Sequence, residues 1–128
     1  MNALIGLSLA LHGLVHLLYF GQSARFFEMK PGMLWPTESW AFAKLLGERW
    51  TRTLAGVLCV VATAGFLLGA VGLLLSQAWM APLILASAAV SLLLFLLFWD
   101  GRLHQLDNQG GVGALLDFAI LATVLLRR

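Results

Sequence analysis

Charge is what this chain has least of. Only 11% of its 128 residues are Asp, Glu, Lys or Arg, against about 25% in a soluble domain. Too little polar material is present to cover a water-facing surface. The 61% of residues that are apolar run in long unbroken blocks that a soluble core does not need. Lipid is therefore the better solvent for most of the surface. The single cysteine, Cys59, excludes an intrachain disulfide, a cysteine-based zinc site and c-type haem attachment. A formal charge of +2 is too small to suggest nucleic acid. No nucleophile elbow, phosphate loop or dinucleotide fingerprint is present. Gly110-Gly111-Val112-Gly113 follows a polar turn, not a strand, and eases the start of a helix.

A membrane-crossing helix needs about 20 largely apolar residues. Four segments are expected to cross, over approximately 2–20, 50–75, 79–99 and 110–126, as one transmembrane domain spanning 1–128. The first lacks a basic n-region and a clear cleavage site, so it reads as a retained helix and not a signal peptide. Trp79 and Trp99 flank the third as interfacial anchors, and Pro82 falls in its first turn. The fourth is the shortest and contains Asp117. Between segments one and two, Pro36 and a Thr37 cap predict an amphipathic interfacial helix over approximately 38–49. The fold class is thus all-α, an antiparallel four-helix transmembrane bundle with an interfacial helix in the first loop. The balance of Lys and Arg leans towards loops 1 and 3 on the cytoplasmic side, with the terminal Arg127-Arg128 pair pulling the other way.

Antiparallel threading brings the end of helix 1, the start of helix 2, the end of helix 3 and the start of helix 4 to one membrane face. Most of the unusual polar residues fall in that half. Ser8, His12, His16 and Tyr19 are four, four and three residues apart, on one face of helix 1. Ionisable groups inside a membrane seldom face lipid. The stripe therefore suits a proton path, a metal site or a quinone-like head group; the plainer role is interhelical hydrogen bonding. Gly13 after His12 removes the H-E-x-x-H zinc-protease reading. His12 and His16, with Asp100 and His104 if helix 3 continues past Trp99, form a possible metal-ligand set. Haem b would need an axial ligand from another helix, because His12 and His16 share a face. Asp117 is expected either in proton transfer and ligand binding or in an ion pair with Arg52. Arg52, Gly56, Cys59 and Thr63 share a face that points into the bundle, and Gly65 and Gly69 form a G-x-x-x-G packing step. The ligand or proton-path candidates are His12, His16, Tyr19, Arg52 and Asp117.

The Leu11-His12-Gly13-Leu14-Val15-His16 stretch, in a polar-punctuated first helix before a long first loop, resembles the DoxX-like group of small four-helix bacterial membrane proteins. That resemblance implies a quinone or redox connection and a bacterial or archaeal cytoplasmic membrane. The leading expectation is a non-catalytic accessory or assembly subunit of a larger membrane complex. Its partners would be the bilayer and other membrane subunits or further copies of itself. The alternatives are a redox-linked subunit binding quinone, haem or metal at the His/Asp cluster, and an oligomeric transporter of protons or a small solute.

Overall fold

The computed structural model describes residues 1–103 and 111–127. Four helices follow one another: α1 (Asn2–Ser23), α2 (Ala43–Leu74), α3 (Met80–Phe98) and α4 (Gly111–Leu126). Among the described residues no strand forms. The first three helices are long and apolar enough to cross a membrane. At about 1.5 Å per residue, the 22 residues of α1 reach roughly 33 Å, enough for a hydrocarbon core of about 30 Å. α4 is a shorter apolar helix of 16 residues.

α1 packs on α2, α2 on α3 and α3 on α4. The row is left open between its two outer helices, which flank a long cleft. In lipid, apolar surfaces gain little by meeting each other, so close packing and interhelical hydrogen bonds must hold the helices together. Both are present. A Cβ at Gly13 would fall 2.9 Å from Cβ of Phe66, so α1 can lie this close to α2 only with glycine there. The hydroxyl of Thr63 donates across the same contact to the Gly13 carbonyl at 2.9 Å. The Gly65/Gly69 step packs within the chain, against Ser87 and Ile84 of α3. Leu7, Leu14 and Leu18 of α1 are exposed and form an outward apolar face, and the exposed Leu4 and Leu11 border the cleft.

Two helix ends close in the same way. The chain turns left-handed at Arg25 (φ 61°) and at Ser76 (φ 53°). After α1, the Phe26 N–H reaches the Gly21 carbonyl and the Arg25 N–H reaches that of Gln22; after α2, Gln77 reaches Gly72 and Ser76 reaches Leu73. These paired bonds satisfy the last carbonyls of each helix, in a motif where glycine is the usual left-handed residue.

The first loop departs from expectation. The helix expected over 38–49 is shorter: turns run up to Phe42, and a short helical stretch from Ala43 meets the long part of α2 across a kink at non-helical Gly47 (φ 75°). Thr37 turns back to the Leu34 carbonyl instead of capping a helix. Its neighbours are drawn to the end of α3. Ser39 Oγ donates to the Leu97 carbonyl (2.6 Å), Trp40 Nε1 to that of Leu96 (2.6 Å), and the Trp40 amide to that of Trp99 (2.9 Å). Helix-end carbonyls need partners from outside the helix, and here the loop supplies them. α1 also runs one turn past the expected Phe20, to Ser23.

Candidate functional site

Four residues from three helices meet where α1, α3 and α4 converge. His12 and His16 lie one turn apart on the buried face of α1, Ser91 is midway along α3, and Asp117 is in the second turn of α4. His16, Ser91 and Asp117 are fully enclosed, and His12 is 8% exposed. His12 Nε2 is 2.8 Å from Asp117 Oδ1. The Ser91 hydroxyl is 2.5 Å from Asp117 Oδ2 and 2.7 Å from His16 Nε2. His16 Nδ1 is 2.9 Å from the His12 carbonyl. The result is a continuous chain, His16–Ser91–Asp117–His12.

Hydrogen counting constrains this chain. A carbonyl only accepts, so His16 Nδ1 carries a hydrogen and donates it. The two bonds around Ser91 need two hydrogens, and the hydroxyl has one. The second belongs either to His16 Nε2, giving an imidazolium and a carboxylate, or to Asp117 Oδ2, giving a neutral imidazole and a carboxylic acid. A concerted shift of both hydrogens through Ser91 interconverts the two arrangements. In either one the His12 Nε2–H donates to Asp117 Oδ1, and the set as a whole is neutral. Neutrality matters because an uncompensated charge inside the membrane region is expensive.

Aromatic rings fix the imidazoles. Phe66 of α2 packs edge-on against His12, with ring centroids 4.9 Å apart, and tilts against His16. Phe95 covers His16 from α3. The His12 end of the chain lines the α1–α4 cleft, which has a volume of about 880 Å³. Ile5, Leu9, Leu116, Ile120 and Val124 give the cleft apolar walls.

Of the residues singled out from sequence, His12, His16 and Asp117 come together. Tyr19 lies one turn beyond His16, stacked edge-on against Trp35 and Phe95, and it lines the cleft. Ser8, the first member of the stripe, also lines the cleft, but it is exposed and donates back to the Leu4 carbonyl. Arg52 does not pair with Asp117. Its Nε–H donates to the Ser23 carbonyl (2.7 Å) while Ser23 Oγ donates to the Arg52 carbonyl (2.6 Å), tying α2 to the end of α1 near the membrane face. Asp117 is satisfied deeper in the row by His12 and Ser91.

Among the described residues, His12, His16 and Asp100 of the expected metal set form no ligand group. α3 ends at Phe98 and Trp99 is extended, so Asp100 leaves the helix; its Oδ1 accepts the Arg102 amide at 2.9 Å. Gly101 (φ 82°) completes the break. His104 lies outside the described residues. Among the described residues no group of three or more His, Cys, Asp or Glu side chains could hold a metal ion. The Nε2 atoms of His12 and His16 are engaged by Asp117 and Ser91. Sequence reasoning missed Ser91. Its one signal is the four-residue spacing from Ser87, which puts both serines on a single face of an otherwise apolar helix.

The chain matches no family model, no curated protein and no solved structure.

Proposed function

We propose that this chain is a membrane subunit that binds a lipophilic molecule with a hydrogen-bonding head group, of the quinone class, in the cleft between α1 and α4. The observation that carries the reading is the buried His16–Ser91–Asp117–His12 chain with its His12 end in the cleft wall. Small-molecule sites are commonly clefts of about 300–1,000 Å³, mostly apolar, with a few convergent polar groups. This cleft fits that description. His12, backed by Asp117, would exchange a hydrogen bond with the head group, and the apolar walls would hold its tail. Entry from the bilayer suits an opening between the two outer helices. The resemblance of the first helix to DoxX-like proteins points the same way and suggests the cytoplasmic membrane of a bacterium or archaeon.

The test is to titrate a short-chain quinone into gently purified protein, after its optical spectrum, metal content and lipid extract have been analysed. Saturable, stoichiometric binding that weakens at least tenfold in His12→Ala and Asp117→Asn is expected. An empty wild-type protein, or binding indifferent to both substitutions, would overturn the reading.

A second reading follows from the openness of the row. An accessory or assembly subunit would present the α1 and α4 walls of the cleft to a transmembrane helix of a larger complex. In that case Leu116→Trp would abolish co-purification of partner subunits, and quinone would not bind.

A further inference from the structure

A second pocket, of about 390 Å³, opens near the end of α1, the start of α2 and the first loop. It shares no lining residue with the α1–α4 cleft. Two guanidinium groups, Arg25 and Arg52, line it and are close enough to repel each other. Glu48 meets the charge of Arg25. Among the described residues no carboxylate pairs with Arg52, whose Nε–H goes to the neutral carbonyl of Ser23. Glu28 is the acidic residue on the wall, and its Oε2 accepts the Gly32 amide at 3.1 Å.

The pocket is built rather than incidental. Gln22, 5% exposed, ties its walls together: Oε1 accepts the Met29 amide, and Nε2 donates to the carbonyls of Met33 and Trp35. Trp35, 2% exposed, lines the pocket too. Its indole Nε1–H is closed off from solvent and has no acceptor among the described residues, so a ligand in the pocket reaches it only when the indole shifts. A buried donor left unpaired is costly and rare, and it calls for a partner supplied from outside. The position matters as well. Arg25 lies just beyond α1 and Arg52 just before the apolar part of α2, the span edges where basic side chains commonly meet lipid head groups.

We propose that this pocket binds a phosphate group, with Arg52 as the charged fork and the Trp35 indole N–H as a neutral donor. Arginine suits the planar, two-point recognition of phosphate oxygens. Glu28 opposes the anion and limits affinity. The site is independent of the quinone reading, since no residue is common to both pockets. The phosphate can come from a lipid head group or from a soluble phosphate, and the chemistry of recognition is the same.

The experiment is isothermal titration calorimetry on the full chain in uncharged alkyl-glucoside micelles, which contribute no phosphate. One arm uses inorganic phosphate and the other a short-chain phosphatidylglycerol. Arg52→Gln is expected to weaken binding by about tenfold or more, and Trp35→Phe by about threefold to tenfold. Glu28→Gln is expected to tighten it. Trp35→Phe keeps an aromatic ring in place, so it reads the indole donor even if Arg52→Gln perturbs the α1–α2 junction. Binding of both probes with this dependence assigns the phosphate group itself, and binding of the lipid alone assigns a lipid site. Lack of saturable binding by the wild-type chain, or equal affinity in Arg52→Gln and Trp35→Phe, would overturn the proposal.

Discussion

His12 Nε2 and Asp117 Oδ1 lie 2.8 Å apart across 105 residues of sequence, a tie between the first helix and the last beside the open cleft. Asp117 has a second anchor in Ser91, so one carboxylate joins three helices. Removing it leaves the His12 Nε2–H without an acceptor, at about 1–3 kcal/mol, while the Ser91 hydroxyl can still donate to His16 Nε2. Asp117→Ala is therefore expected to destabilise the protein far more than Asp117→Asn, which keeps an acceptor for His12 and a donor for Ser91. Thermal or denaturant unfolding in detergent would check the order. Equal losses from the two substitutions would contradict the bonding described.

The pairing can be tested directly with a double-mutant cycle. His12→Ala and Asp117→Ala should couple by about 0.5–3 kcal/mol, as residues in contact do. Arg52→Gln and Asp117→Asn should add to within about 0.5 kcal/mol, because Arg52 is committed to Ser23. Strong coupling in the second pair would restore the Arg52–Asp117 ion pair.

At Gly13 the added methyl group of alanine would meet the Cβ of Phe66, which is fixed to its own helix and cannot swing away. Overpacking of this kind costs about 1–3 kcal/mol. Gly13→Ala should therefore separate α1 from α2, lengthen the Thr63–Gly13 bond and lower the unfolding midpoint. Gly47→Ala meets no atom within 4 Å, yet its φ of 75° disfavours any side chain, so a loss there would be conformational. Amide exchange should separate the two: Gly13→Ala loosens the helix interface, whereas Gly47→Ala acts only at the start of α2.

Ser76 holds the left-handed position that ends α2, where a side chain costs about 1–2 kcal/mol relative to glycine. Its side chain is exposed. Ser76→Gly should raise stability by up to about 1 kcal/mol, partly offset by the greater freedom of glycine in the unfolded chain. A lowered unfolding midpoint would count against the left-handed turn.

Ser39 and Trp40 act on α3 from the first loop. Ser39→Ala should cost about 0.5–1.5 kcal/mol by leaving the Leu97 carbonyl short of a partner. Hydrogen exchange should report faster fraying of the last turn of α3 and of the Trp40 amide. Unchanged protection at both places would remove the capping role.

How much of this was legible beforehand follows from the range of each interaction. Apolar run length and turn residues are local properties, so composition and spacing sufficed for the four helices and for the antiparallel order. The four-residue step between His12 and His16 is also local, and it put both rings on one helix face. Asp117 stood out because a carboxylate in an apolar segment needs a reason to be there. Its partner was a question of helix rotation and depth, which spacing along one segment does not encode. Arg52 looked reachable on charge alone; the tertiary structure engages it with Ser23 at the end of α1 and turns His12 and Ser91 towards Asp117. The start of the loop helix was misplaced for the same reason. Its residues suit a helix, but the unpaired carbonyls at the end of α3 draw Ser39 and Trp40 away, and that demand exists only once α3 and the loop are brought together. Sequence alone thus determined which segments are helical and which residues are out of place in lipid. Tertiary structure decided which of those residues meet, because buried polar groups must find partners and only the packed row of helices fixes who is within reach.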